Sequence, residues 1–371
     1  GQIGVLKRLS GRDSQGRSTI DILHEHPGLD LVALYGPEHG IRGAAAPGEK
    51  VDSSRDERTG LPVHSLYGAT RKPTPEMLRG IEALVFDIQD VGARQYTYIY
   101  TMALAMQAAA EAGIPFVVLD RPNPVRGDVV AGGRLDTAAV SSFVGMYDIA
   151  SRHGMTVGEL ARLFNAEQRF GADLTVVEMD GWRRDLWWDE TGLDWVPPSP
   201  NLPTLEAAVH YPGTVFFEAA NIQEGRGTDH PFAQTGAPWM DGERVAAAMN
   251  ARRLPGVRFE AVRFTPVASA AKYGGVELGG VRLHVTDRDA YRPIPAVLHL
   301  IAEIRRAHPS EFAWVGGPGP GSPNGVHWLD RLTGDARARL AIEGDSLATL
   351  FAAWEREARA FEERRRPYLL Y

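Results

Sequence analysis

The chain has 371 residues, 44% of them hydrophobic and 23% charged, a soluble globular composition with more chain than one core normally serves. A net charge of −7 disfavours a nucleic-acid partner. The absence of cysteine excludes disulfides, thiolate catalysis and thiolate metal sites, and no apolar stretch is long enough for a membrane span.

The chain opens Gly1-Gln2-Ile3 without a Met or an apolar leader. That reads as a processed or trimmed start and favours a secreted or periplasmic setting over a cytoplasmic one. Ile3-Gly4-Val5-Leu6 predicts a short first strand, and Ser18 is placed to cap a short helix. A second strand, Leu31 to Tyr35, runs into Gly36-Pro37-Glu38-His39-Gly40. This puts a carboxylate and an imidazole at the mouth of a strand, between glycines that let a ligand approach. A long loop over 41–60 follows.

Thr74-Pro75-Glu76 predicts a helix start. The strand Ala83 to Phe86 then ends in Asp87-Ile88-Gln89-Asp90-Val91-Gly92, and Arg94-Gln95-Tyr96 lead into an Ala-rich helix. A strand at Phe116–Leu119 ends in Asp120-Arg121-Pro122-Asn123-Pro124. Thr156 caps a helix, and the strand Leu174–Glu178 follows. Strands apolar on both faces and alternating with helices predict an α/β fold with a Rossmann-like, mostly parallel sheet.

After a proline-rich crossing loop over 196–203, Thr214–Phe217 reads as a fifth strand leading to Asn221-Ile222-Gln223-Glu224-Gly225-Arg226. The pattern then shifts to a smaller α+β domain. The expected division is 1–224, a Rossmann-like catalytic domain, and 225–371, a C-terminal domain that contributes to the cleft.

Several familiar signatures fail. Glu49 stands where a phosphate-binding loop needs Lys, Gly316 to Gly321 is broken by proline, and no Gly-x-Ser-x-Gly elbow is present. What recurs is a polar string after a strand. If the sheet is parallel, Glu38-His39, Asp87-Gln89-Asp90, Asp120-Arg121-Asn123 and Asn221-Glu224-Arg226 converge on one edge. Carboxylates, amides and guanidinium groups suit a polyhydroxylated or carboxylated ligand, and Tyr96 offers a ring face to a sugar.

Three strings carry a family resemblance: Tyr35 to Gly43, Val85 to Tyr98, and Leu119 to Pro124. Further matches are Arg152-His153-Gly154-Met155-Thr156, Pro198-Ser199-Pro200-Asn201, Glu224 to Thr228 and the terminal Pro367-Tyr368-Leu369-Leu370-Tyr371. Together they resemble the bacterial exo-β-N-acetylmuramidase family over nearly the whole chain. One departure is Lys7-Arg8, which stand where that family usually has Thr-Asn.

The resemblance implies a glycoside hydrolase of cell-wall recycling. It would remove N-acetylmuramic acid from the non-reducing end of peptidoglycan-derived sugars or muropeptides, without metal or cofactor. It makes Glu38 the general acid, since hydrolysis needs a proton donor to the leaving oxygen. For the second catalytic role Glu224 comes first and Asp87 second, unless the substrate's own acetamido group serves. His39, Gln89, Asp90, Tyr96, Asp120, Asn123, Asn201 and Asn221 are expected to bind substrate. Arg94, Arg121 and Arg226 are candidates for the lactyl carboxylate, with Arg226 first. The alternatives are a metal-dependent hydrolase using His39, Asp87, Asp90 and Asp120, or a non-catalytic cell-wall sugar-binding protein.

Overall fold

The structure is a computed structural model and describes residues 1–37, 41, 54–318 and 325–371. Glu38 and His39 lie outside the described residues. The amino-terminal part runs β1 (Gln2–Lys7), α1 (Thr19–Glu25), β2 (Asp30–Gly36), β3 (Ser54–Arg55), β4 (Pro62–Ser65), β5 (Ala83–Asp87), α2 (Tyr98–Ala112) and β6 (Phe116–Leu119). A helical turn α3 (Thr137–Val140), helix α4 (Val157–Glu167) and strand β7 (Leu174–Val177) complete it.

These strands form one seven-stranded sheet in the order β3-β4-β2-β1-β5-β6-β7, parallel except for the β3–β4 pair. The parallel sheet follows from the side chains. Along β1, Ile3 and Val5 enter one core cluster and Leu6 the other; along β5, Val85 faces one way and Leu84 and Phe86 the opposite way. Both faces are therefore apolar, which requires crossover helices on both sides. Gly4 is needed here, because a Cβ at that position would sit 2.7 Å from the Tyr35 ring on the neighbouring strand.

Helix ends follow local chemistry. Thr156 and Glu159 form a reciprocal capping box at the start of α4, with Thr156 Oγ1 accepting from the Glu159 amide at 3.2 Å and Glu159 accepting from the Thr156 amide at 3.0 Å. Gly113 ends α2 in the left-handed region at φ 68°, a conformation without cost for glycine.

The carboxyl-terminal part runs α5 (Leu205–Thr214), β8 (Gln234–Ala237), α6 (Gly242–Ala251), β9 (Val257–Phe264), β10 (Leu278–Val285) and α7 (Pro293–Ala307). Two short helices, α8 (Trp328–Thr333) and α9 (Arg337–Glu343), precede the long α10 (Leu347–Arg365). Its three strands form a separate antiparallel sheet, β8-β10-β9, on which α6 packs. The larger core cluster is continuous between the two parts, from Phe86 and Ile99 to Val281 and Leu300.

Two expected elements differ. Residues 74–81 form successive turns rather than a helix. Thr214–Phe217 is not a strand: it is the end of α5 running into a 3-10 helix at Val215–Ala219. Pro212 and Gly213 lie inside α5, and Thr204 caps that helix by accepting from the Ala207 amide. Periodicity cannot separate a buried strand from a buried helical segment, and Phe216 and Phe217 are buried on every side.

Candidate active site

The carboxyl ends of β1, β2, β4, β5 and β6 lie on one edge of the sheet, as their parallel registers require. Above that edge a cavity of about 430 Å³ opens between the two parts of the chain. Gln95 to Tyr98, at the start of α2, line it together with Tyr211, Glu218, Arg226 and Phe232. Arg71, Phe143, Asn201 and Trp328 complete the rim.

One side of the cavity is aromatic. Tyr96 meets the edges of Tyr98 and Tyr211 at 4.8 and 5.7 Å between ring centroids, and Tyr211 meets Phe232 at 4.9 Å. Such a surface suits the apolar face of a pyranose ring.

Charge adjoins these rings. Arg226 donates to Glu218 Oε1 at 2.5 Å and to Glu224 Oε1 at 2.9 Å, and lies over the Phe232 ring. Burial opposes its charge, yet the two carboxylates outweigh that and hold the guanidinium above its ordinary pKa. Lys272 reaches Glu224 Oε2 at 3.3 Å and donates to the carbonyls of Phe217, Glu218, Ala220 and Ile222. It thereby satisfies the carbonyl end of the 3-10 helix that carries Glu218.

Several polar groups on the wall have no protein partner among the described residues. The Tyr96 hydroxyl is buried without a hydrogen bond, and burial pushes its pKa well up. Neither the Asn201 side-chain amide nor the Arg71 guanidinium makes a hydrogen bond or ion pair; Arg71 only stacks, 4.0 Å from the Phe143 centroid. Unpaired polar groups converging on one cavity are the mark of a ligand site.

Of the expected site residues, Tyr96, Asn201 and Arg226 come together in this cavity. Gln89 and Arg121 line a separate, smaller one of about 190 Å³. Arg121 Nε donates to Asp87 Oδ1 and Thr19 Oγ1 to Asp87 Oδ2, both at 2.5 Å, and Asp87 has no exposed surface. The Gln89 amide donates to the carbonyls of Asp90 and Pro122. Asp90 Oδ2 accepts from the Gly92 amide and sits 3.2 Å from His153 Nε2. Arg94 is fully buried and donates to the carbonyls of Gly133, Ile149 and Leu332.

Asp120 accepts from the Arg121 and Gly158 amides and from the hydroxyls of Thr156 and Tyr371. Burial pushes its pKa up to about 6 against those donors. Asn123 bridges Val125 and Met155, and Asn221 bridges Glu311 and Ala313. Glu224, almost wholly buried, reaches the cavity through Arg226.

For the alternative metal reading, Asp87, Asp90 and Asp120 thus each have separate partners. Among the described residues no three His, Cys, Asp or Glu side chains are grouped to hold a cation.

Sequence reading did not single out Arg71 or Glu218. Glu218 carried a signal, a lone carboxylate inside the apolar run Val215 to Ala220. Arg71, in Thr70-Arg71-Lys72-Pro73, carried none.

The fold and this cavity define a two-part α/β protein with an aromatic and ionic binding cleft at the carboxyl edge of its parallel sheet. The comparisons with known proteins go further. Residues 3–206 match the family described as exo-beta-N-acetylmuramidase NamZ, N-terminal, and residues 209–371 match its C-terminal counterpart. The chain therefore belongs to the exo-β-N-acetylmuramidase NamZ family. It is 47% identical to the peptidoglycan beta-N-acetylmuramidase NamZ of Bacillus subtilis (strain 168), over 100% of this chain and 87% of that protein.

Two crystal structures of DUF1343 family proteins from Bacteroides fragilis NCTC 9343 share the fold. One superposes with a TM-score of 0.87 at 35% identity and the other with 0.77 at 29%, each over 100% of this chain and 94% of its own.

Proposed function

We infer that this chain is a glycoside hydrolase, an exo-β-N-acetylmuramidase that releases N-acetylmuramic acid from the non-reducing end of peptidoglycan fragments. Membership of the family supports the activity. The observation that carries its location is the cavity where tyrosine rings, the Glu218–Arg226 pair and three unpartnered polar groups face one another. In this reading the sugar ring lies against Tyr96 and Tyr211, while Asn201 and the Tyr96 hydroxyl meet its polar substituents.

Glu38, which follows the end of β2 by two residues, is the general acid; His39 orients it or binds the sugar. A carboxyl in a partly desolvated pocket keeps its proton near neutral pH and delivers it to the leaving oxygen. For support of the oxocarbenium-like centre we place Glu218 ahead of Glu224, because it lines the cavity directly. Asp87, with both oxygens taken and no exposure, comes last.

Selectivity for muramic acid over glucosamine falls to Arg71, the cavity guanidinium that holds no carboxylate. The test is incubation with a synthetic β-N-acetylmuramide, with and without chelator, for wild type and Glu38→Gln. Release by wild type in both conditions, with loss in the mutant, supports the reading. Chelator-sensitive release favours a metal hydrolase, and binding without release a sugar-binding protein.

A further inference from the structure

A second cavity, also of about 430 Å³, shares no lining residue with the first. It lies between residues 130–132, the start of α7 and the middle of α10. Ile294, Phe351 and Trp354 give it apolar walls, and Arg152 and Arg292 line it beside them. Arg152 opens one of the strings that carry the family resemblance, yet it has no part in the muramide cleft.

Carbonyls and a ring, rather than carboxylates, face the cations of this cavity: Arg152 lies 5.9 Å from the Trp187 ring centroid. Arg152 is only 4% exposed, and its one side-chain hydrogen bond runs from Nη2 to the Val125 carbonyl. Among the described residues its Nε has no hydrogen-bond partner, and neither does the Trp354 indole N–H. Arg292 donates to the carbonyls of Asp289 and Tyr291. Neither guanidinium is ion-paired among the described residues.

The carboxylates nearby are engaged elsewhere. Glu355, which also lines the cavity, pairs with Arg359 at 2.9 Å, and Asp128 is held by Arg126. Burial first, and the like charge of Arg292 second, bring the Arg152 pKa down to about 10. A buried cation beside a second cation is costly unless an anion joins them.

We propose that this cavity is a binding site for a small monocarboxylate with an apolar body. The carboxylate is received by Arg152 and Arg292, whose planar forks match its two oxygens. The apolar body lies against Ile294, Phe351 and Trp354. A free inorganic anion has nothing to offer those walls, and a neutral apolar molecule leaves the guanidinium groups unpaired.

Isothermal titration of the whole chain with octanoate, octanamide and inorganic phosphate tests the proposal. Octanoate is expected to bind once per chain, about tenfold or more tighter than octanamide, the difference that one charge-assisted contact makes. Phosphate gives no comparable binding. Arg292→Met, a change at an exposed side chain, removes most of the octanoate preference, and Ala358→Trp, which fills the cavity, removes octanoate binding. Muramide hydrolysis continues in Arg292→Met and under saturating octanoate, which separates this site from the catalytic cleft. Absence of octanoate binding, equal affinity for octanamide, binding that survives Arg292→Met unchanged, or competition with muramide would each overturn the proposal. If Ala358→Trp fails to fold, Arg292→Met and the octanamide comparison still decide it.

Discussion

Replacing Arg71 by Met tests the selectivity reading directly. N-acetylmuramic acid differs from N-acetylglucosamine by a lactyl ether that ends in a carboxylate. A hydrogen bond to a charged partner contributes roughly 1.5–3 kcal/mol. Arg71 is exposed at the cavity rim and stacked on Phe143, so solvent screening favours the lower end. About 1.5 kcal/mol is about a tenfold change in kcat/KM. The loss is confined to the muramide, because the glucosaminide has no carboxylate to lose.

The assay is the kcat/KM ratio for paired chromogenic β-muramide and β-glucosaminide substrates. Arg226→Met is the informative contrast. It strips Glu218 and the buried Glu224 of their shared cation; Glu224 keeps Lys272, and the half-buried Arg226 is partly screened by solvent, so the loss stays below the roughly 3–5 kcal/mol of a fully buried pair. That variant should melt early and lose both activities together. An unchanged ratio in Arg71→Met, with a collapsed ratio in a well-folded Arg226→Met, would refute the assignment and return the lactyl group to Arg226.

Glu38→Gln keeps shape and removes the proton, so turnover should drop by about a hundredfold or more while ligand binding persists; near wild-type turnover would exclude Glu38 as the acid. Glu218→Gln should lower kcat more than it raises KM, and a pure KM effect would reduce Glu218 to a binding group. Acid stability should depend on His210, whose burial takes its pKa from 6.5 down to about 3. Between those values the unfolded chain binds a proton that the folded chain refuses, so stability falls as pH drops through this window, by up to roughly 5 kcal/mol. Asp120 acts in the opposite sense between its ordinary 3.8 and about 6, where the folded chain holds the extra proton and stability falls as pH rises. Urea midpoints at several pH values should therefore show a smaller acid loss in His210→Gln than in wild type, and equal losses would contradict the buried-histidine account.

How much of this was legible depended on what each residue type can report. The parallel strands were readable because burial on both faces leaves unbroken apolar runs, as in Leu31–Tyr35 and Ala83–Phe86. Helix α5 was not, because its interior Pro212 imitates a boundary and its sequel Val215-Phe216-Phe217 imitates a strand. The polar strings after the strands posed a different problem. A buried polar group must find a partner, so a string such as Asp120-Arg121-Pro122-Asn123 is demanded equally by chemistry and by the fixing of a sheet edge.

Partners separate the two demands, and partners come from distant sequence. Asp120 is met by Thr156, Gly158 and the Tyr371 hydroxyl, Asn123 by Met155, and Asp90 lies 3.2 Å from His153 Nε2. These contacts tie β5, β6, the start of α4 and the chain terminus into one edge. Arg71, in contrast, belongs to no distinctive string and makes no polar bond among the described residues. Its only distinction is an unfilled guanidinium beside a cavity, and that is visible only once every other cation on the cleft has been matched to its carboxylate or carbonyl.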